Sequence, residues 1–446
     1  MSPPLPAVPK ALQAEADRRI WRMAWPIIVS NVSVPLLGAV DTAVVGHLPE
    51  AYYIGAVAIG AMMFNFIFHG FNCLRMGTTG PTAQALGQGE QGEVRALLGR
   101  ALILAAGAGF AIVALQLPIA AFAFWAIEAS PEVESFASQY FLIRVWALPA
   151  ALGSFAIIGW FYGLHDSKAP LIIQIFTNAL NMALDLLFVF GFGLAVVGVA
   201  AASLIAEYAG FAVAVFLVWR RLGILPATGR SARVLDMPRF RRMIAVNRDI
   251  FIRTMCVVSG FAVFMAQSAK LGDLALAVNQ VLYIFLHVTT FALDAYAHAA
   301  EALIGEAVGQ KDRTRFRAAV RAAFRWAAVT AGVMAAFYWV AGTAIIALLT
   351  SIAEVRVAAA DYLIWAVVSP AVCVWAFTYD GVFLGATRTR VLRDTMIMSF
   401  AVYMAGVFLA MPVIGNHGLW LGLMLFLSCR ALFQVIAYPA LRRSIG

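Results

Sequence analysis

Charged side chains are scarce in this chain. Only 12% of its 446 residues are Asp, Glu, Lys or Arg, whereas 63% are hydrophobic. Soluble domains carry roughly 25% charged and 45–50% apolar residues, so this composition excludes an ordinary water-exposed globular fold. Cysteine is also rare. The four cysteines all fall in apolar stretches and none are close in sequence, which argues against a disulfide framework or a zinc site. They are Cys73, Cys256, Cys373 and Cys429.

Long apolar runs take the place of the missing charge. A helix needs about 20 predominantly apolar residues to cross a bilayer core of about 30 Å. The predicted fold class is therefore an all-α polytopic membrane protein with twelve transmembrane helices. The predicted spans are 24–48, 54–76, 97–124, 136–163, 169–192, 196–219, 243–268, 275–304, 319–350, 357–385, 392–412 and 418–440.

The placement of the basic residues indicates topology. The chain has a net charge of +9, and its Lys and Arg residues gather at the two ends and in every second loop. The remaining loops carry only Lys270 and Arg356. This asymmetry follows the positive-inside rule and places both termini in the cytoplasm. We therefore expect a multi-pass protein of a bacterial-type inner (plasma) membrane, with the lipid bilayer and no nucleic acid as partner.

The sequence is also duplicated. Ala85-Leu86-Gly87-Gln88 returns as Ala307-Val308-Gly309-Gln310, and Phe161-Tyr162-Gly163 returns as Phe383-Leu384-Gly385, both 222 positions later. Each half holds six spans, an even number, so the halves are predicted to be parallel repeats, an arrangement found in many secondary transporters. The predicted domains are a first lobe over 1–222, a cytoplasmic linker over 223–242 and a second lobe over 243–446.

Motifs across both halves carry a family resemblance. The first span reads Val34-Pro35-Leu36-Leu37-Gly38 and then Val40-Asp41-Thr42-Ala43, the next ends in Leu74-Arg75-Met76-Gly77-Thr78-Thr79-Gly80, and the seventh begins with Asn247-Arg248-Asp249-Ile250. The chain resembles the multidrug and toxic compound extrusion (MATE) family, in particular its DinF-type branch. The resemblance implies two six-helix lobes and a cation-coupled antiporter that exports small amphipathic, often cationic, organic compounds by alternating access.

Asp41 is the first candidate site residue, because it lies inside an apolar span. A charged residue at the centre of a bilayer costs about 2.5–3.5 kcal/mol on insertion scales and usually faces a bundle interior or a wet cavity. Its carboxyl group can take up and release a proton, or it can serve as a structural hydrogen-bond acceptor. The family resemblance adds weight to a coupling role, since the matching aspartate of the first span is a proposed coupling residue.

Spans 5 and 6 offer further oxygen ligands. Asn178, Asn181 and Asp185 are spaced three and four apart, and Ser203 and Glu207 are four apart, so each set shares one helix face. The resemblance implies that Asn181, Asp185 and Ser203 join Asp41 in a cation-coupling site. A polar seam between the two helices is the structural alternative. Hard cations prefer oxygen ligands, so these residues suit Na⁺ as well as H⁺.

The second half departs from NorM-type relatives, which carry a glutamate in span 7 and an aspartate in the first part of span 10. This chain has only Asp249 and Arg253 near the start of span 7, and Asp380 lies late in span 10. The departure disfavours a second sodium site and favours proton coupling through the first lobe. The sequence does not show which acids pair with Arg144, Arg253 and Arg430.

Span 8 carries a possible secondary site. Its four ionisable residues share one stripe, because their steps are seven, four and three. They are His287, Asp294, His298 and Glu301. A histidine beside acids can form a proton relay, whereas cavity lining and packing are the structural readings. A metal site is disfavoured because no second helix supplies matching ligands, and we expect no cofactor other than the coupling ion.

Three other functions remain as alternatives. A flippase for lipid-linked substrates shares the helical organisation but needs a basic cavity, for which Arg144 and Arg253 are too few. An intramembrane enzyme needs a catalytic constellation at membrane depth, and the sequence shows none. A receptor or a channel agrees poorly with twelve spans in two halves.

The Gly87–Gly92 segment fits a dinucleotide-binding pattern but lacks the strand that would precede it. We expect a monomeric transporter.

Overall fold

A computed structural model of the chain describes residues 8–46, 50–127, 129–224 and 233–445. Within these ranges the secondary structure is helical and contains no β-strand. A 3₁₀ turn at Val145–Ala147 and a π turn at Leu187–Gly191 accompany fourteen α-helices in the described ranges. The helices α1 to α14 are Lys10–Gly46, Ala51–Phe71, Cys73–Gly87, Gln91–Ala114, Gln116–Ala126, Pro131–Arg144, Leu148–Gly163, Lys168–Leu186, Ala195–Ile224, Met237–Lys270, Asp273–Gly309, Arg313–Leu349, Ala353–Gly385 and Thr389–Arg443.

The helices agree with the predicted spans. Ten helical segments in the described part of the chain are long and apolar enough to cross a membrane. One of them, α14, is 55 residues long, and its helical geometry is interrupted at Ile414 and Gly415, between the eleventh and twelfth predicted spans. The helix α1 is a further segment beside these ten. It contains the first predicted span except for His47 and Leu48, which are outside the described residues. The chain is a multi-pass membrane protein of the predicted all-α class.

Several spans consist of two pieces. The second span changes from α2 to α3 at Asn72, and the third changes from α4 to α5 at Leu115. The fifth span continues from α8 into the π turn, directly after Asp185 and Leu186. The sequence predicted each of these as one uninterrupted helix. π turns and broken membrane helices are frequent at functional sites, because they alter which groups a helix presents.

The duplication is visible in the backbone. A residue with a left-handed φ angle follows the end of α3 and of α11; these residues are Gly89 (73°) and Lys311 (56°). Such a residue also follows α7 and α13, at His165 (61°) and Thr387 (52°). The members of each pair are 222 positions apart. Left-handed residues are common where a helix ends, but ordinary side chains adopt them rarely. Their recurrence at one spacing shows that the two halves share the same turns as well as the same motifs.

Two glycines show the same correspondence in helix packing. A β-carbon at Gly159 in α7 would overlap the carbonyl oxygen of Arg75 in α3, and a β-carbon at Gly381 in α13 would overlap that of Ala297 in α11. Both residues of the second pair lie 222 positions after those of the first. Small residues let membrane helices approach closely. The same helix junction is therefore built once in each half.

The chain forms two compact units. The N-unit is Pro26–Asn247, and the C-unit is Arg248 to the C-terminus together with the chain up to Trp25. The observed boundary at Asn247 lies just beyond the predicted linker at 223–242. The start of α1 differs from the predicted division at 1–222, because its residues pack within the C-unit.

Specific contacts hold the start of α1 to the C-unit. Arg19 pairs with Glu306 of α11 at 2.5 Å, and Arg325 of α12 pairs with Asp17 at 2.6 Å. Trp21 lies against Trp326, with ring centroids 5.1 Å apart. Charged and aromatic contacts on neighbouring turns of one helix thus explain why the first residues of the chain join the second half of the sequence.

Candidate functional site

The fifth span presents its polar side chains inward. Asn178, Asn181 and Asp185 of α8 are only 3%, 3% and 0% exposed. On the opposite side of the same helix, Ile172 and Phe176 are 51% and 40% exposed. This distribution is the reverse of a water-exposed helix and is expected where lipid surrounds the protein, because polar groups in a membrane face the bundle interior.

Three of the predicted site residues meet at one place. Asn181 of α8 contacts Ser203 of α9, and with its amide oriented to satisfy both ends, Nδ2 donates to Asp185 Oδ2 at 3.2 Å. The amide oxygen then accepts from the backbone N–H of Ser203 at 3.0 Å and from its hydroxyl at 3.2 Å. The amide of Asn181 therefore links the carboxylate of one helix to the backbone of the next.

A glycine allows these two helices to approach closely. A β-carbon at Gly210 of α9 would overlap the hydroxyl of Thr177, which is 8% exposed on α8. The hydroxyl of Thr177 instead donates to the carbonyl of Ile173 within its own helix at 2.9 Å. Close packing at Gly210 holds α8 and α9 at the distance that the Asn181–Ser203 contact requires.

The polar face continues toward α1. Asn178 Nδ2 donates to the hydroxyl of Ser33 at 2.9 Å, and Gln174 Nε2 donates to Asn178 Oδ1 at 2.9 Å. Ser33 in turn donates to the carbonyl of Ser30 at 2.7 Å. We call Asn178, Asn181, Asp185, Ser203 and Ser33 the N-unit polar cluster. The sequence did not predict Gln174 or Ser33, although Gln174 lies four residues before Asn178 on the same face.

Asp41 lies on the same helix as Ser33, two turns further along α1. Its side chain is outside the described part of the structure. Its participation in the N-unit polar cluster therefore stays a prediction from the sequence.

Glu207 belongs to a different set of contacts. It lies one turn after Ser203 on α9, within electrostatic range of Arg144 of α6. The guanidinium of Arg144 contacts the hydroxyl of Tyr140 and lies 4.9 Å from the ring centroid of Phe64. Arg144, whose acidic neighbour could not be predicted from the sequence, thus has Glu207 in the same unit.

The predicted stripe of the eighth span lies on α11 in the C-unit. His287 packs between Tyr283 and Phe291, with ring centroids at 4.5 and 5.4 Å. Asp294 is within electrostatic range of Arg430. His298 and Glu301 are 8% and 0% exposed. The stripe is therefore a line of buried and half-buried groups with different neighbours.

A buried ionic cluster in the C-unit completes the arginine pairings. Asp380 of α13 accepts hydrogen bonds from the guanidinium groups of both Arg253 and Arg430. Gln434 Nε2 also donates to Asp380 Oδ1 at 2.5 Å. Two arginines already occupy this carboxylate, which makes it a poor ligand for a cation. These partners are separated by up to 127 positions, so one sequence gives no signal that joins them.

The described residues contain no group of three or more His, Cys, Asp or Glu side chains arranged to hold a metal ion. The N-unit polar cluster instead offers one carboxylate with amide and hydroxyl oxygens. These are the donors of a proton site or of a site for a hard monovalent cation.

Comparison with known proteins supports the same architecture. A family model described as MatE matches residues 26–187 and again residues 250–412, once in each repeat. Over 422 residues the chain is 39% identical to the DNA damage-inducible protein F of Escherichia coli, covering 95% of this chain and 92% of that protein. It is 29% identical over 224 residues to the probable multidrug resistance protein NorM of Thermotoga maritima, covering 48% and 47%. The Vibrio cholerae MATE transporter VcmN in the bent form has the same fold, with a TM-score of 0.85, 20% identity and coverage of 98% and 99%.

Proposed function

Because this chain belongs to the MATE family of multidrug efflux transporters, we propose that it exports small amphipathic organic compounds across a bacterial inner membrane in exchange for protons. Cationic compounds are the expected main substrates. The N-unit polar cluster, together with Asp41, is the proposed coupling site. The observation that carries this proposal is Asp185, which is 0% exposed and bonded to the neutral amide of Asn181.

Protonation of Asp185 would change the contacts between two helices. An ionised carboxylate only accepts hydrogen bonds, whereas a protonated one also donates. The Nδ2 group of Asn181 donates to the carboxylate, while its oxygen accepts from Ser203. When the carboxylate gains a proton, the amide no longer faces an acceptor of full charge, and its hold on both helices weakens. Proton binding is thereby coupled to the packing of α8 against α9.

Exchange requires that the proton and the substrate favour opposite states of the N-unit. A ligand shifts a conformational equilibrium only by its difference in affinity for the two states. A protonated cluster that favours one packing of α8 and α9, and a substrate that favours the other, satisfy this condition without touching each other. The π turn directly after α8 is a suitable place for the change, because such turns are frequent at functional sites.

Sodium is the second candidate ion. The amide and hydroxyl oxygens beside Asp185 are ligands that a hard cation prefers. A sodium ion at this place would take the position between Asp185, Asn181 and Ser203 and would bind the ionised carboxylate. Proton coupling is favoured because Asp380, the acid of the tenth span, is already bonded to two arginines, so the C-unit offers no matching cation site there.

Reconstituted transport separates these possibilities. Proteoliposomes that contain the full chain should accumulate or release a fluorescent organic cation when a pH gradient is imposed with sodium absent. A sodium gradient at clamped pH should give no transport, and Asp41→Asn should abolish the proton-driven signal. Transport on sodium alone would make the cluster a sodium site. Movement of a fluorescent lipid, with no movement of the organic cation, would instead identify a flippase.

A further inference from the structure

Arg75 is a buried arginine in the second membrane span. It lies in α3, inside the apolar segment Tyr52–Gly87, and is only 8% exposed. Its Nε donates to the side-chain oxygen of Asn72 at 2.9 Å. Its Nη1 is fully buried and has no hydrogen-bond partner. Among the described residues, no carboxylate forms an ion pair with it.

This arrangement is costly for the folded protein. A buried charge without a counter-charge loses its hydration and gains no Coulomb energy in return. The cost is several kcal/mol in practice, and arginines within membrane spans normally face a partner or a water-filled path. The neutral amide of Asn72 does not replace a negative charge.

The other buried arginines in the described ranges of the chain are compensated. Arg100 is 1% exposed and forms two hydrogen bonds of 2.9 Å to the carboxylate of Glu93. Arg253 and Arg430 share Asp380. A carboxylate is therefore the partner that this protein supplies to buried guanidinium groups elsewhere, and Arg75 differs from all three.

The internal repeat shows that the fold does not need an arginine at this position. The helix junction formed by Gly159 and Arg75 is repeated by Gly381 and Ala297. Ala297 is 4% exposed and fills the equivalent place without a charge. An alanine thus satisfies the same close packing of two helices, and the guanidinium of Arg75 calls for a role other than packing.

The surroundings of Arg75 suit an organic acid. The ring of Tyr162 lies 6.0 Å from the guanidinium carbon and gives an aromatic face beside the charge. The span is interrupted at Asn72, so α3 begins only two residues before Arg75. In transporters, the N-terminal ends of interrupted helices are used to hold anionic substrate groups, and arginine binds carboxylates with strong charge-assisted hydrogen bonds.

We propose that Arg75, with Asn72 and Tyr162, forms an anion-binding subsite in the N-unit that holds the carboxylate or sulfonate of an amphipathic organic substrate. This inference rests on the proposed export function and extends its substrates from cations to organic acids and zwitterions. An inorganic anion such as chloride shares the charge but gains nothing from the tyrosine ring.

Binding to the purified full chain in lipid nanodiscs tests the subsite. The probes are dansylglycine, a fluorescent aromatic carboxylate, and tetraphenylphosphonium, a lipophilic cation. Arg75→Gln should weaken dansylglycine binding by about tenfold or more, the equivalent of losing one charge-assisted hydrogen bond. Arg75→Lys should keep part of it, and tetraphenylphosphonium binding should not weaken in either variant.

Arg253→Gln is the matched control. Arg253 is 7% exposed, compared with 8% for Arg75, and its loss removes the same charge while Asp380 keeps Arg430. Dansylglycine affinity should stay within about twofold of the wild type, a difference of only about 0.4 kcal/mol. An equal loss in this control, or unchanged affinity in Arg75→Gln, would overturn the subsite.

Two further outcomes are informative. Failure of the wild type to bind dansylglycine, with chloride stabilising the protein through Arg75, would overturn the organic-acid assignment in favour of an inorganic anion. Failure of the wild type to export tetraphenylphosphonium on a proton gradient would count against the proposed function instead. Normal export of the cation without any dansylglycine binding would remove only the anion subsite.

Discussion

At the scale of single residues, three buried aspartates fall into two kinds. Asp249 and Asp380 are each paired with arginine. Arg393 Nη1 lies 2.8 Å from Asp249 Oδ1, and Arg430 pairs with Asp380. Asp185 is bonded to an amide that also binds Ser203. A carboxylate that pairs with guanidinium groups balances their buried charge, and loss of its own charge would leave the arginines uncompensated. An acid bonded to a neutral amide is better suited to gain and lose a proton, and this distinction selects Asp185 as the candidate for coupling.

Asp185→Asn tests this assignment. The substitution keeps the shape and the hydrogen bonds of the side chain but removes the group that carries the proton, so proton-driven export in proteoliposomes should fall to background. The protein should still insert and fold, since no charge is buried. Asp361→Asn is the control, because Asp361 is exposed on α13 and carries the same charge. Full transport by Asp185→Asn would show that the coupling proton is carried elsewhere.

Asp380→Asn should act on stability instead. It leaves Arg253 and Arg430 buried without their counter-charge, and breaking a buried ion pair in this way costs about 3–5 kcal/mol. Arg253→Gln should cost less, because Asp380 keeps both Arg430 and Gln434. Thermal unfolding in detergent compares the two variants directly. Equal melting temperatures would contradict a structural role of the shared carboxylate.

The sequence predicted the surroundings of Asp185 better than those of Asp380. Helix periodicity places Asn181 and Asp185 on one face of the fifth span, and the family resemblance adds Ser203 of the next span to them. The Arg253–Asp380 pair joins residues 127 positions apart, and periodicity carries no information at that distance. In the sequence, Arg75 stands out only as part of a motif, because the absence of an acidic partner is visible only in three dimensions.

At the scale of helices, the close junctions at Gly159 and Gly381 are the repeated unit of packing. Gly159→Ala and Gly381→Ala should each destabilise the protein by about 1–3 kcal/mol, the usual cost of overpacking, because the added β-carbon meets a backbone oxygen that cannot move aside. The two losses should be similar, since the junctions correspond. Unfolding temperatures of the purified variants measure them.

Gly107→Ala in α4 and Gly332→Ala in α12 are the controls, because a β-carbon at either position meets no atom within 4 Å. Alanine in these helix interiors should be neutral or stabilising by up to about 1 kcal/mol. A comparable loss in the controls would show that glycine flexibility, rather than close packing, explains the effect at Gly159 and Gly381.

Helix interruptions were the part of the helical structure that the sequence did not reveal. Apolar composition continues through Asn72 and Leu115, so hydropathy gives one span where the backbone forms two helices. The break at Ile414 and Gly415 falls between the predicted spans 392–412 and 418–440. Hydropathy reports which residues a membrane accepts, and it does not report local backbone geometry.

At the scale of the whole molecule, the boundaries of the two units follow the repeat. The unit boundary crosses α1 between Trp25 and Pro26, and it crosses α10 between Asn247 and Arg248. These two positions are 222 residues apart. The first helix of each half therefore begins in one unit and ends in the other.

The orientation of the chain in the membrane is the remaining prediction at this scale. The positive-inside rule places the segment before α10 in the cytoplasm and the segment before α6 outside. Leu235 is 70% exposed, and Ser130 is also exposed, so a cysteine at either position is accessible to a reagent.

The four native cysteines are first replaced by alanine or serine. In intact spheroplasts, an impermeant maleimide should then label Ser130→Cys and leave Leu235→Cys unlabelled. After permeabilisation both should react, which controls for accessibility. Labelling of Leu235→Cys in intact cells would show that the chain is inserted in the opposite orientation, and the direction of the proposed proton exchange would have to be reversed with it.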